Sequence, residues 1–153
     1  MQSTHEKILI LDFGSQYTQL IARRIRELGV YCEIHRNDLP HAEIVAYKPK
    51  GIILSGSPHS VESEGSPRCA KEIFDMGLPI LGICYGLQLL TKLQGGRVDK
   101  SAHREFGAAE VEVVSSRGPF ASFGKGSALK VWMSHGDRVE MLPDSYVAIG
   151  RTP

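Results

Sequence analysis

The sequence predicts an α/β fold: an open, mostly parallel twisted sheet with helices on both faces, followed by an antiparallel extension. Short apolar runs, the pattern of strands buried on both faces, alternate with helical segments, and this predicts the parallel part. After Gly95-Gly96 the apolar residues alternate with polar ones instead. That alternation is typical of strands with one face in solvent, and it predicts the antiparallel extension.

The elements of the parallel part can be assigned in chain order from periodicity and from turn residues. They are strand 7–12, a helix that Ser15 caps and Gly29 ends, strand 31–35, helix 42–47, strand 51–54, helix 68–76, strand 79–83 and helical segment 87–93. Segment 55–67 is rich in Ser, Gly and Pro, so it is expected to be a loop. Antiparallel strands are expected at 109–114, 129–133 and 146–149.

Composition narrows the class of function. The 18 basic and 17 acidic residues give a net charge of +1, which favours neither nucleic-acid nor membrane binding. The first residues are polar, and no apolar run approaches the length of a membrane span. The three cysteines have no C-x-x-C spacing for zinc or redox chemistry. We therefore expect a cytoplasmic protein with reduced cysteines and no bound metal.

The most informative stretch surrounds Cys84. An apolar run leads into this cysteine, Gly82 and Gly86 flank it, and a helical segment follows. This is the pattern of a nucleophile elbow with sulfur in place of a serine hydroxyl. Side chains at either glycine would collide with neighbouring backbone, and the helix N-terminus would favour the thiolate. The alternative is a buried structural cysteine, which the flanking glycines disfavour.

Two other segments are expected near Cys84, because sites in parallel sheets collect at the carboxyl ends of the strands. The turn 55–58 can point backbone N–H groups at a developing oxyanion, with the amide of Tyr85 as a second donor. An ordinary surface turn is the alternative for these residues. Segment 130–137 is interpreted as an apolar strand that ends in a polar loop, where binding residues gather.

Histidines are the candidate bases for a thiol nucleophile. His135 is a candidate, although a histidine followed by glycine at a strand end is equally suited to shaping a loop. His59 and His103 are weaker candidates. The residues alone leave the choice open.

Five motifs resemble a known family, and they cover nearly the whole chain in the family's order. They are segments 8–20 (ILILDFGSQYTQL), 51–56 (GIILSG), 82–88 (GICYGLQ), 104–107 (REFG) and 131–137 (VWMSHGD). The chain resembles the class I, triad-type glutamine amidotransferases. Tyr85 and segments 14–17 and 132–137 resemble the GMP synthase branch of that family.

The resemblance implies a reaction and a set of site residues. Cys84 would attack the side-chain carboxamide of glutamine, giving a glutamyl thioester and ammonia, and water would then hydrolyse the thioester to glutamate. The implied oxyanion hole consists of Ser57 and Tyr85. The residues implied for glutamine binding are Gly56, Gln88, Ser134, Gly136 and Asp137. No metal or cofactor is implied for this chain itself.

The resemblance also implies a partner. A synthetase (ATP pyrophosphatase) domain, absent from this chain, would use ATP and Mg²⁺ to adenylate xanthosine monophosphate (XMP). That domain would then aminate the adenylate to GMP with the ammonia. The family leaves open a homodimer formed through that domain.

Two departures from the family pattern stand out. Ser57 occupies a position where the family usually has glycine, and a positive φ there would be harder to adopt. The family's base and its orienting carboxylate lie in a Phe-His-Pro-Glu motif, which residues 85–153 do not contain. Residues 1–153 would then be an amidotransferase domain truncated before that motif. The alternatives are a non-catalytic protein that binds glutamine or a partner, and a thiol enzyme with His135 as its base.

Overall fold

The computed structural model describes residues 6–152, apart from the side chains of residues 101–105. The elements over these residues, in chain order, are β1 (Lys7–Asp12), α1 (Thr18–Glu27), β2 (Tyr31–Arg36), α2 (His41–Tyr47), β3 (Gly51–Leu54), a 3₁₀ helix (Lys71–Asp75), β4 (Ile80–Gly82), α3 (Tyr85–Leu93), β5 (Arg97–Val113), a second 3₁₀ helix (Gly118–Phe120), β6 (Ala128–Met141) and β7 (Gly150–Arg151). None of the helices described here is both long and apolar enough to cross a membrane.

The first four strands form one parallel sheet in the order β2-β1-β3-β4. Strand β1 lies inside the sheet, and its central residues Leu9, Ile10 and Leu11 have no exposed surface. Full burial of such a side chain stabilises the fold by about 1.5–3 kcal/mol. The continuous apolar run of β1 is therefore explained by burial on both faces, as the sequence predicts.

Helices cover both faces of this sheet, which confirms the predicted α/β class. On one face Ala22 of α1 packs with Ile10 and Cys32. On the other face Ile44 of α2 and Leu89 of α3 pack in a larger core. That core extends to buried Val98 of β5 and half-buried Val139 of β6. The second sheet is thus joined to the parallel sheet through α3.

The predicted antiparallel extension is also present. Strands β5, β6 and β7 form a sheet in the order β6-β5-β7, and both pairings are antiparallel. The third strand lies at Gly150–Arg151 and not at 146–149, although the carbonyl of Ile149 accepts hydrogen bonds from the N–H groups of residues 114 and 115.

The prediction that residues 134–137 form a loop is wrong. They lie inside β6, because Ser134, His135 and Asp137 are each paired with a residue of β5. The register shifts between Lys100 and Glu105, opposite Gly136. The polar run is thus part of a strand with a local irregularity.

The predicted helix over 68–76 is also wrong, because only the 3₁₀ helix Lys71–Asp75 forms. Asn37 Nδ2 donates a hydrogen bond to the carbonyl oxygen of Arg68 at 2.7 Å. An α-helix beginning at residue 68 would need that carbonyl for its own first turn.

The predicted cap of α1 is also different in the structure. Ser15 does not cap α1 directly, since its Oγ accepts a hydrogen bond from Tyr17 N–H at 3.0 Å in the preceding turn.

Candidate functional site

Cys84 occupies the sharp turn between β4 and α3. Its backbone has φ 50° and ψ −111°, a conformation that residues other than glycine rarely adopt. Holding a residue in such a conformation costs on the order of 1–3 kcal/mol, and the surrounding structure must supply that energy. The turn places Cys84 directly before the first residue of α3.

Two glycines permit this turn, in agreement with the collisions expected from the sequence. A Cβ added to Gly82 would lie 2.6 Å from the backbone nitrogen of Leu87. One added to Gly86 would overlap the carbonyl oxygen of Leu54 in β3. Because the strand, the turn and the helix approach so closely, neither position can carry a side chain without movement of the backbone.

The electrostatic setting of the sulfur combines two opposed influences. The N-terminus of α3 carries the positive end of the helix dipole, which favours the thiolate. Burial acts the other way and raises the pKa of the Cys84 thiol. The same cause raises the pKa of Cys69 to about 11, and Cys32 is 1% exposed. The expectation that the turn alone favours thiolate therefore misses the effect of burial.

The turn that follows β3 lies beside Cys84. A Cβ added to Gly56 would stand 3.8 Å from the Cβ of Cys84 and 3.4 Å from Ser15 Oγ. Ser55, which is fully buried, holds this turn: its Oγ accepts from Phe13 N–H at 3.0 Å and donates to the Gly56 carbonyl at 3.1 Å. The sequence places Ser55 in the candidate turn 55–58 but did not predict this role of its side chain, although its position directly after a buried strand was a usable signal.

Ser57 fits this turn without backbone strain. Among the described residues other than glycine, positive φ occurs at Lys48 and Cys84 alone, so Ser57 has an ordinary conformation. Its Oγ accepts a hydrogen bond from the N–H of His59 at 3.2 Å. The serine in place of the family's usual glycine is thus accommodated, and its backbone N–H is retained.

The side chain of Tyr85 anchors the start of α3. It is 1% exposed, its hydroxyl donates to the carbonyl of Pro67 at 2.6 Å, and its ring lies 5.5 Å from that of Phe13. The backbone N–H of Tyr85 has a different role, because the first N–H groups of a helix have no partner within the helix. It can therefore donate to a group bound at Cys84.

Gln88 and Asp137 meet between α3 and β6. Gln88 Nε2 donates to the backbone carbonyl of Asp137 at 2.9 Å, and the two residues are 6% and 5% exposed. The Asp137 carboxylate accepts from Ser60 Oγ at 2.5 Å through Oδ2. Ser60 was not among the predicted site residues, and no local pattern in its loop could have identified it.

The remaining predicted residues lie along β6. Ser134 is exposed, and Gly136 directly precedes Asp137. His135 lies between them, opposite Glu105 in the strand register, and stays a candidate base. His59 is exposed in the loop after β3, and the side chain of His103 lies outside the described residues. Residues 103–105 form a His-x-Glu sequence after Cys84, but they are not part of a Phe-His-Pro-Glu motif.

Known proteins are similar to this chain in sequence and in structure. The family model for class I glutamine amidotransferases matches residues 9–152. GMP synthase [glutamine-hydrolyzing] of Brachyspira hyodysenteriae is 50% identical over 153 residues, which cover 100% of this chain and 29% of that protein. The protein of the same name from Neisseria meningitidis is 54% identical over 98% of this chain and 29% of its own length.

Solved structures are also similar to this chain. A candidate GMP synthase component from Thermoplasma acidophilum has a TM-score of 0.85 and 34% identity, over 99% of this chain and 75% of that one. A glutamine amidotransferase from Thermotoga maritima has a TM-score of 0.71 and 25% identity, over 95% and 66% of the two chains.

This chain spans 29% of the length of the two curated relatives described above. The family match extends over almost all of the described residues, and the fold agrees with both solved structures. The chain therefore belongs to the class I glutamine amidotransferase family.

Proposed function

We propose that this chain is the glutamine-hydrolysing part of a GMP synthase and that Cys84 is its nucleophile. The main support is the backbone of Cys84, with φ 50°, at a turn where Gly82 and Gly86 leave no room for a side chain. A structural cysteine has no need of such a strained conformation. The identity of 50% and more to GMP synthases supports the choice of branch.

The proposed reaction has two stages. The sulfur of Cys84 attacks the side-chain carbonyl carbon of glutamine, and a C–S bond forms as the carbonyl becomes an oxyanion. Collapse of this intermediate breaks the C–N bond, and the nitrogen leaves as ammonia after taking up a proton. Water then attacks the thioester, the C–S bond breaks, and glutamate and the thiol are released.

Two backbone N–H groups are proposed to stabilise the oxyanion, those of Ser57 and Tyr85. The turn at Gly56 lies beside Cys84, and Tyr85 is the next residue in the chain. Both donors are held in place by buried neighbours, Ser55 for the turn and the Tyr85 ring for the helix. Removal of one such donor typically lowers kcat by about 100-fold to 1,000-fold.

The glutamine α-amino and α-carboxylate groups are proposed to bind at Gln88, Ser134, Gly136 and Asp137. The Asp137 carboxylate suits an ammonium group, and its position against α3 is fixed by the hydrogen bond from Gln88. Gly56 would admit the substrate beside Cys84, because it has no side chain to fill the space that Ser15 and Cys84 border.

Ammonia is proposed to pass to a synthetase domain that binds ATP, Mg²⁺ and XMP and produces GMP. The curated relatives carry more than two thirds of their length outside the matched region, which is ample for such a domain. In this proposal the present chain supplies ammonia and binds no cofactor of its own.

One observation favours a second candidate, a non-catalytic protein that binds glutamine. Burial is the influence that shifts the pKa of Cys84 among the described residues, and it acts against the reactive thiolate. A glutamine-binding protein without a catalytic base would keep the turn at Cys84 and the proposed glutamine-binding residues. Turnover by a chain extended through a Phe-His-Pro-Glu segment distinguishes the two candidates, because a protein that only binds glutamine releases no ammonia.

The test uses L- and D-forms of a chloroketone analogue of glutamine, with mass spectrometry of the labelled peptides. The proposal expects labelling at Cys84 by the L-form, slower labelling by the D-form, and protection by glutamine. Cys69→Ala should label as the parent does, and Cys84→Ala should not label. Equal rates with both enantiomers, or labelling mainly at Cys69, would contradict the proposed function.

A further inference from the structure

We propose that Ser60 is a positioning residue of the glutamine site: it orients the Asp137 carboxylate toward the substrate's ammonium group. This inference rests on the proposed function, because it assigns Asp137 to glutamine binding. Ser60 lies in the loop after β3, outside the motifs that suggested the site residues.

Ser60 and Asp137 are joined by a direct hydrogen bond between their side chains. Ser60 Oγ donates to Asp137 Oδ2 at 2.5 Å, and Asp137 is 5% exposed. A hydrogen bond to a buried carboxylate is a strong one, because the charge is shielded little by water. The described contacts of this carboxylate use Oδ2, which leaves Oδ1 for a ligand.

Ser60 is itself held in place by contacts within its loop. The N–H of Glu62 donates to Ser60 Oγ at 3.2 Å, so the hydroxyl is held as an acceptor and its proton is free to point at Asp137. Glu62 forms an ion pair with Lys92 of α3 at 2.7 Å. Val61, between these loop residues, is fully buried. The hydroxyl is therefore fixed relative to α3.

Two residues of α3 contact Asp137 and the loop that carries Ser60. Lys92 lies one helical turn after Gln88, so both residues occupy one face of α3. Gln88 holds the backbone carbonyl of Asp137, while Lys92 holds the loop that contacts the Asp137 side chain through Ser60. These contacts connect helix α3, the loop after β3 and strand β6 to one another. Ser60 is the loop residue that contacts the Asp137 carboxylate.

This arrangement has a functional consequence that a purely structural contact would lack. Gln88 fixes the backbone of Asp137, but the carboxylate can still rotate about its side-chain bonds. Ser60 removes that freedom and presents Oδ1 in one orientation. Loss of Ser60 should therefore weaken recognition of the substrate's ammonium group and leave the chemistry at Cys84 unchanged.

The test measures inactivation of the full 153-residue chain by the L-chloroketone, in which the Cys84 thiolate displaces chloride. The concentration dependence gives KI, for binding, and kinact, for the bond-forming step. Ser60→Ala should raise KI about 10-fold with kinact within about two-fold of the parent. Ser60→Thr, which keeps the hydroxyl, should restore KI. Ser63→Ala is the matched control and should behave as the parent.

Iodoacetamide, which has no groups for Asp137 to recognise, reports whether the turn at Cys84 is intact in each variant. The proposal expects its rate to be the same in Ser60→Ala and in the parent. An unchanged KI in Ser60→Ala overturns the inference. Equal losses in kinact, iodoacetamide rate and melting temperature also overturn it, since they would show a structural role. If the parent itself shows no saturation, the proposed function fails, and the role of Ser60 falls with it.

Discussion

Gly86 lies against the carbonyl of Leu54, so that any Cβ at position 86 would overlap the carbonyl oxygen. The same carbonyl accepts a hydrogen bond from Ile83 N–H at 3.0 Å. Leu54 thus contacts the chain on both sides of Cys84, just before it and just after it. Because Leu54 ends β3 and leads into Gly56, one residue fixes both the nucleophile turn and the turn proposed for the oxyanion.

We predict that Gly86→Ala lowers the free energy of unfolding by about 2–3 kcal/mol, since the added methyl must displace backbone rather than a flexible side chain. The displacement should also move Cys84 out of its turn. Chemical denaturation measures the first effect, and the rate of Cys84 labelling by the L-chloroketone measures the second.

Gly124→Ala is the matched control for this substitution. A Cβ at Gly124 would meet Ser127 Oγ at 3.5 Å, an ordinary contact, and the residue lies in an exposed loop. We expect a change within about 0.5 kcal/mol there. Equal stabilities for Gly86→Ala and Gly124→Ala would mean that the close approach to Leu54 is absent in solution.

A second prediction concerns the choice among the three cysteines. Cys84 should be the fastest thiol toward a glutamine-like chloroketone, because it stands at the turn before α3 and is half-buried, whereas Cys32 is 1% exposed. Burial raises the pKa of Cys69 to about 11, which leaves very little thiolate there. Peptide mapping after limited labelling gives the three rates, and comparable modification of Cys32 or Cys69 would contradict the assignment.

The third prediction is the pH dependence of this labelling. Thiolate is the reactive form, and burial raises the pKa of Cys84 above its ordinary value of 9.0. The rate should therefore keep rising with pH up to and beyond 9.0. Rates with iodoacetamide from about pH 6 to about pH 10 measure the profile, a range that spans the usual thiol pKa. A plateau at neutral pH would mean that the helix N-terminus outweighs burial and that the thiolate forms without a base.

Much of the fold follows from local signals. Strands β1 and β3 have the bounds that the sequence predicts, because each is a continuous apolar run between residues that end strands. The turn at Cys84 follows from two glycines at fixed offsets. These features depend on residues within a few positions of one another, which is the range that pattern reasoning can read.

The features that could not be predicted from the sequence depend on residues that are far apart in the chain. The helix expected over 68–76 begins only at Lys71, as a 3₁₀ helix, and the carbonyl of Arg68 accepts a hydrogen bond from Asn37, which is 31 residues away in sequence. Ser60 and Asp137 are separated by 77 residues, so no spacing rule connects them. Residues 134–137 belong to β6 only because β5 provides their pairing partners. Each of these outcomes is decided by tertiary contacts.

The fourth prediction tests the turn at Ser57, in a full-length GMP synthase that carries this chain. Ser57→Pro removes the backbone N–H and should lower kcat about 100-fold or more. Ser57→Gly keeps the N–H, and because Ser57 has no positive φ there is no strain to relieve, so turnover should stay near the parent's. Steady-state glutaminase kinetics measure both. Equal activity of Ser57→Pro and the parent would remove this turn from the mechanism.

The last prediction is that the 153-residue chain alone hydrolyses glutamine poorly or not at all. Thiol attack needs a base to accept the proton, and departing ammonia needs an acid, roles that one oriented histidine fills in related chemistry. Among the described residues, burial is what shifts the pKa of Cys84, and it disfavours the thiolate. The oxyanion donors can still support residual activity above that of water.

We expect a stalled thioester in this case, because its hydrolysis also calls for a base. Intact-mass spectrometry after incubation with glutamine would detect it, and an ammonia assay would measure turnover. The comparison is a chain extended through a Phe-His-Pro-Glu segment from a GMP synthase relative, which should release ammonia at least about 100-fold faster, the effect of a general base. Equal turnover by the two chains, abolished by His135→Ala, would contradict this prediction and make His135 the catalytic base.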